Sequence, residues 1–379
     1  MSSRPLDGIT VVSLEHAIAA PFCTRQLADL GARVIKVERP AVGDFARRYD
    51  ERTKGLASHF VWANRSKESL ELDLKNPEDL HLLHCILQKA DIFVQNLAPN
   101  ATKRLGLDYE KLHTKYPALI VCDISGFGQG GCYADKKAYD LLIQAESGFL
   151  SITGTPDDMA KAGNSIADIS AGMYAYSAIL SALLLRTKTH KGSHIDVSML
   201  ESLTEWMGYP MYYAYEGASP PPRTGASHAT IYPYGYFKVA DSTIIFGLQN
   251  EREWEQFCTI VLQDSTLATD TRFDQNSKRS ANRDALNIII DSTLGKLTLQ
   301  EATQRLDTAK IAYAKVNTVG DVWQHPQLLA RQRFVKIHSS AGQLLACLPP
   351  ATNSEFAPVM GDVPALGEHN DKIHHEFLA

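Results

Sequence analysis

The chain has 379 residues, 44% hydrophobic and 21% charged, with a formal net charge of -5. That length exceeds one ordinary core, so two domains are expected, and the composition is that of a globular protein. The acidic balance gives no reason to expect nucleic acid or an anionic membrane as partner, and six scattered cysteines without a CxxC suit a reducing compartment, so a cytoplasmic location is expected.

In chain order, "MSSRPLDG" has no apolar run behind a basic one, which reads against a secretory signal. "ITVVSL" at Ile9–Leu14 is a short β-rich run. "TRQLADLGARVIKVER" gives a helix closed by Gly31 and then a strand at Val34–Val37. "SLELDL" is a further candidate strand. Asn76 before Pro77 marks an N-cap with proline in the first turn, opening a helix that runs into the strand "DIFVQN". "YEKLHTKYPA" and "LIVCDIS" repeat the pattern. Strands alternating with helices predict an α/β domain, a Rossmann-like open parallel sheet covered on both faces. After Asp168 comes the run "AGMYAYSAILSALLL", shorter than the ~20 residues a bilayer needs and read as a buried helix. "GSHIDVSML" adds a strand. The composition shifts near Gly217 to "GASPPPRTGASHATIYPYGYF", a linker signature. A hairpin-like "GYFKVADSTIIFGLQ" follows, with helices around Glu251–Leu262 and Asn282–Leu294, a smaller α+β domain. The expected division is 1–216 for the large domain, 217–330 for the linker and small domain, and 331–379 for a C-terminal segment returning to the large one.

"GFGQGG" at Gly126–Gly131 matches GxGxxG after a strand, but the dinucleotide fingerprint belongs to the first βα turn, here "LEHAIAAPF", which has no glycine. A nicotinamide or flavin site is therefore disfavoured. His81, His84 and Cys85 sit at helical spacing without further ligands nearby, so no metal is expected. There is no G-x-S-x-G elbow. Arg47 and Arg48 in "GDFARRYD" have the planar donors to clamp a carboxylate. Lys36, Arg39, Lys75, Arg104 and Lys137 lie near strand or helix ends, where an open sheet binds its ligands. Asp168 stands where a polar loop meets the long apolar run. Asp is a favoured N-cap. A desolvated carboxylate walled by the small residues Ala167, Ser170, Ala171 and Gly172 is also a competent nucleophile toward an activated acyl group.

The stretches "PLDGITVVSLEHAIAAPFCTRQLADLGARVIKVERP", "NRSKESLELDLK", "VQNLAPNATKRLGL", "KKAYDLLIQAESG", "IADISAGMYAYSAILSALLLRTKTHKGSHIDVSMLE", "RTGASHATIYPYGYF" and "PALGEHND" together resemble the family III CoA-transferases, in order and over nearly the whole chain. The resemblance implies that Asp168 is the nucleophile. It implies coenzyme A contacts at His16, Ala17, Ile18, Arg39, Leu72, Asn96, Leu97, Arg104, Lys137 and Tyr139, the side chains at Ala17, Ile18 and Leu97 differing from those of formyl-CoA transferase. A run of glycines found in the small domain of that enzyme has no counterpart here. The same resemblance implies an interlocked homodimer, a coenzyme A thioester as substrate and no tightly bound cofactor. The acids it implies are four- and five-carbon dicarboxylates such as succinate, itaconate, mesaconate, citramalate or malate, with succinyl-CoA as donor. Arg47, Arg48 and His228 are the candidates for a second carboxylate. An α-methylacyl-CoA racemase shares the fold, but its "GHD" element reads Ala138-Tyr139-Asp140 here. A phenol with a pKa near ~10 is a poor proton shuttle at neutral pH, which favours transferase.

Overall fold

The computed structural model describes residues 4–378. By contact density the chain divides into two compact units. The first comprises residues 1–149, 162–208 and 327–379; the second comprises 150–161 and 209–326.

The first unit is built on six parallel strands, β1 (Thr10–Leu14), β2 (Arg33–Glu38), β3 (Lys67–Glu71), β4 (Ile92–Gln95), β5 (Ile120–Ser125) and β6 (His194–Ser198), in the order β3-β2-β1-β4-β5-β6. Val11, Val12, Ile35, Ile92, Phe93 and Val121 are fully buried, as continuous apolar runs in a sheet covered on both faces must be. The helices are α1 (Ala19–Asp29), α2 (Ser58–Asn64), α3 (Pro77–Leu87), α4 (Ala101–Leu105), α5 (Tyr109–Lys115), α6 (Asp140–Glu146), α7 (Phe149–Ile152; all but its first residue counted in the second unit), α8 (Ile166–Thr189) and α9 (Met199–Trp206). One face of the sheet meets α1 and α8 through Ala20, Cys23, Leu27, Ala171, Ala175 and Ile179; the other meets α3 through Leu82, Leu83 and Ile86. Asn76 caps α3, its side chain accepting from the Glu78 N–H at 2.9 Å, and Pro77 takes the first turn, as the sequence predicts. Gly31 follows α1 with φ 105°.

At 24 residues α8 is longer than its apolar run, and by length and composition it could cross a membrane. In the fold it is a core helix on one side only. Ala167, Ala171, Ala175 and Ile179 are buried, whereas Met173, Leu184 and Leu185 stand 39%, 69% and 53% exposed, so the expectation of a fully buried helix holds for one face.

The second unit has an antiparallel sheet of β7 (Tyr234–Lys238), β8 (Thr243–Gly247) and β9 (Tyr313–Lys315), the first two forming the anticipated hairpin. Its core gathers Phe237, Phe246, Trp254, Phe257 and Phe273 with Leu286 and Ile290 of the helix Arg283–Leu294. The C-terminal helix Asn370–Leu378 belongs to the first unit; the Asn370 side chain accepts from the Glu71 N–H at 2.8 Å, and Ile373 enters the core beside α3.

Candidate active site

Strand order reverses between β1 and β4, and the carboxyl ends of these strands open a crevice there. A cavity of about 660 Å³ occupies it. His16–Ala19 line it from the β1–α1 turn, Asn96–Pro99 from the loop after β4, Ser125 and Gly126 from the end of β5, and Lys136–Asp140 from the start of α6. Asp168 stands in its wall.

Asp168 is the third residue of α8 and not its cap. The N-cap position is Ser165, which makes no side-chain cap bond. The first-turn donor at Ala167 goes instead to Asp140, whose Oδ1 accepts that N–H at 2.8 Å. Capping by a carboxylate 27 residues away frees Asp168 to face the cavity. Asp140 is held in turn by Gln144 Nε2 at 2.6 Å, and Gln144 Oε1 accepts from the Ala162 N–H at 2.9 Å, which fixes the loop leading into α8.

Burial, reinforced by the nearby Asp140 carboxylate, pushes the Asp168 carboxyl up to about 7 from an ordinary 3.8. One interaction opposes this: the backbone N–H of Ala19, first residue of α1, faces the carboxylate and favours its charged form. Two helix N-termini thus meet at one carboxylate. Gly172 lets them, because a Cβ there would lie 2.6 Å from the Ala19 carbonyl oxygen and 3.1 Å from Phe22 Cδ1. Gly126 serves the opposite wall, where a Cβ would collide with Ala138.

Of the residues that the resemblance implies for coenzyme A, His16, Ala17, Ile18, Arg39, Asn96, Leu97, Lys137 and Tyr139 line this one cavity. Tyr139 is 71% exposed at its rim. Two do not line it. Leu72 points its side chain into the core at 1% exposure, and Arg104 is exposed on α4 with its guanidinium near the Pro99 carbonyl at 3.5 Å. Lys36, one of the cations expected near the ligand-binding ends of the strands, is buried completely and paired with Asp44 at 2.8 Å.

The arginines proposed for the second carboxylate are placed otherwise. Arg47 spends its fork on Glu38, at 2.8 Å from Nε and 2.7 Å from Nη2, gives Nη1 to the Pro364 carbonyl at 3.2 Å and packs over Phe60. Arg48 is exposed, with Nη2 3.5 Å from the Ala41 carbonyl, and neither arginine lines the cavity. The fork at Arg47 was legible; its partner, nine residues back at the end of β2, was not. His228 lies in the second unit, its ring stacked on Tyr234 and its Nδ1 accepting from the Thr230 and Ile231 N–H groups. Sequence reasoning missed three rings that line the cavity: Phe45 stacked on His16 at 5.1 Å, Tyr49 5.9 Å from Phe45, and His59 edge-on to Tyr49 at 5.4 Å. The signal was the aromatic pair within "GDFARRYD", where the arginines drew the reading.

The glycine-rich loop Gly126–Gly131 takes positive φ at Gly128, Gly130 and Gly131, and no helix follows until Asp140, so it lacks the helix N-terminus that a pyrophosphate needs. His81 and Cys85 face one another at 3.6 Å while His84 turns to Tyr116, and among the described residues no group of three acidic, histidine or cysteine side chains is placed to hold a metal.

A model of the family described as CoA-transferase family III matches residues 6–370. A succinate–glutarate CoA-transferase of Agrobacterium fabrum is 34% identical, the alignment covering 98% of this chain and 96% of that protein. An acetyl-CoA:oxalate CoA-transferase of Acetobacter aceti is 34% identical over 99% of this chain and 96% of that protein. The crystal structure of a CAIB/BAIF family protein from Brucella suis superposes with a TM-score of 0.88 at 33% identity, covering 99% of this chain and all of that one.

Proposed function

The chain belongs to CoA-transferase family III and is a CoA-transferase, and from that premise we propose that it passes CoA from succinyl-CoA to a small dicarboxylic acid through a covalent intermediate on Asp168. The observation that carries this reading is the placement of Asp168. Its desolvated carboxylate stands in the wall of the cavity lined by eight of the residues expected to meet coenzyme A.

An Asp168 oxygen attacks the thioester carbonyl carbon; the C–S bond breaks and CoA leaves as thiolate, giving a mixed anhydride. The thiolate attacks the aspartyl carbonyl carbon, the C–O bond to the donor acid breaks, and the enzyme holds an aspartyl-CoA thioester. The acceptor carboxylate then attacks that thioester and expels the thiolate. Attack of the thiolate on the acceptor's carbonyl regenerates the free carboxylate. Each step exchanges one acyl bond for another of similar energy, so no external energy source enters. The Ala19 N–H is a donor at the reacting carboxyl, poised for the negative charge that gathers on each tetrahedral intermediate. Arg39, Asn96 and Lys137 hold the coenzyme at the strand ends. Tyr139 occupies the position at which a racemase would carry its second acid/base histidine.

The acids are four- and five-carbon dicarboxylates of the glutarate, itaconate, mesaconate, citramalate or malate type. Glutarate is the acid named for the relative in Agrobacterium fabrum. The protein works as a homodimer in the cytoplasm. The exposed Met173, Leu184 and Leu185 of α8 suit a second copy of the chain, and sedimentation of the pure protein as a monomer would refute that. Incubation with succinyl-CoA and a panel of free acids, oxalate included, is expected to yield new thioesters with the dicarboxylates. Asp168→Ala is expected to bind CoA and lose exchange by a factor on the order of 10⁴ or more; undiminished turnover would remove Asp168 from the mechanism.

A further inference from the structure

Ala17 lies between β1 and α1 with φ 59°, in the left-handed region that a residue with a Cβ avoids. Three hydrogen bonds hold the turn there. Asn96 grips the preceding residue twice, Oδ1 accepting from the His16 N–H at 2.9 Å and Nδ2 donating to the His16 carbonyl at 2.9 Å. Asp44 Oδ1 accepts the Ala17 N–H at 3.0 Å. Two residues further on, the Ala19 N–H faces Asp168 across the cavity that both line.

Asp44 is 0% exposed and fixed on every side. Lys36 Nζ reaches its Oδ2 at 2.8 Å, the Ala46 N–H donates to Oδ1 at 2.9 Å, and its own N–H donates to Glu38 Oε2 at 2.9 Å. Lys36 also lies 3.4 Å from Glu15, which binds Lys67 at 2.7 Å, and His16 Nδ1 stands 4.0 Å from Asp44 Oδ1. The four charges of Glu15, Lys36, Asp44 and Lys67 are therefore all buried in one network directly behind the cavity. Buried ion pairs add little net stability compared with well-packed apolar side chains, so stability alone does not account for this one. What the network does fix is the direction of one peptide N–H.

We propose that Asp44 is a positioning residue for CoA transfer: by capturing the Ala17 N–H it holds the left-handed turn, and the turn aims the Ala19 N–H at the Asp168 carboxylate. Asp44 touches no substrate in this scheme; Lys36 keeps it ionised and oriented. The proposal rests on Asp168 being the nucleophile.

Asp44→Asn tests it. The neutral amide must turn its oxygen to the Lys36 ammonium and its NH₂ toward the Ala17 N–H, which then loses its acceptor. The expected result is a kcat about 10–100-fold lower, together with an acid limb of the pH–rate profile displaced upward by about one pH unit, because the Ala19 N–H no longer favours the charged form of Asp168. The sign is diagnostic. Removing a negative charge by itself would ease ionisation of Asp168 and move the limb down, and a merely structural role would lower the amount of active enzyme and leave the limb in place. Adding Ala17→Gly to Asp44→Asn is expected to recover activity several-fold, since glycine takes the left-handed conformation without the anchor. A folded Asp44→Asn with an unmoved or lowered limb, or a double variant no better than the single, would overturn the proposal. If Asp44→Asn proves insoluble, Ala17→Val, which resists positive φ while leaving the charges intact, must displace the limb upward in the same way, or the proposal fails. Trapping wild-type enzyme during turnover separates the two readings. No adduct on Asp168 refutes the nucleophile; an Asp168 adduct that forms equally fast in Asp44→Asn refutes only the positioning.

Discussion

Asp168 ionises near 7 in the folded chain and near 3.8 when the chain is open, so the fold loses stability as pH rises between those values. The full cost is about 4 kcal/mol above pH 7 and nothing below about pH 4. Asp168→Asn is therefore expected to melt a few degrees higher than wild type at pH 8 and at the same temperature at pH 4, as thermal unfolding at the two pH values will report. On the proposed mechanism the same titration governs chemistry: the carboxylate attacks only when ionised, so kcat/KM should rise through an acid limb near pH 7. That an acid stands between a polar loop and an apolar run was legible in the sequence. Its position within the helix was not. The first-turn donor is capped by Asp140, and nothing local announces a partner 27 residues away.

At the scale of elements, the packing of α1 against α8 sets the site, and Gly172 sets the packing. Gly172→Ala places a methyl 2.6 Å from the Ala19 carbonyl, so the helices must part. The expected cost is about 1–3 kcal/mol in urea unfolding. Exchange should fall further, on the order of 10²-fold, because the parting carries the Ala19 N–H away from Asp168. A loss of activity no greater than the loss of folded protein would separate the helix contact from catalysis. The parallel sheet and its helices were legible from the alternation of apolar strands with capped helices, Asn76-Pro77 and Gly31 among the markers. The aromatic lining of the cavity was not. Phe45, Tyr49 and His59 come together only through a short 3-10 helix, Phe45–Arg48, whose cap is Asp44, and Arg47 is withdrawn from the cavity by Glu38.

For the molecule as a whole, the buried charges decide how it responds to acid. Burial would raise Glu15, Glu38 and Asp44, but Lys67 and Lys36 at Glu15, Arg47 and Lys36 at Glu38, and Lys36 at Asp44 outweigh it and hold all three below the ordinary carboxylate range. Groups depressed in the folded state stabilise above the ordinary pKa near 4, and that stability is lost as pH falls through their folded values. The urea midpoint should therefore drop steeply below about pH 4, and Glu15→Gln, which leaves Lys67 buried without its counter-ion, should cost about 3–5 kcal/mol at neutral pH. A midpoint flat from pH 5 to pH 3 would refute the network's contribution. The measurement closest to the centre of the account is mass spectrometry of enzyme quenched while cycling with succinyl-CoA and glutarate. A CoA or acyl adduct on the peptide containing Asp168, absent from Asp168→Asn, is the predicted result; an adduct on any other residue, or none from enzyme that is turning over, would contradict it.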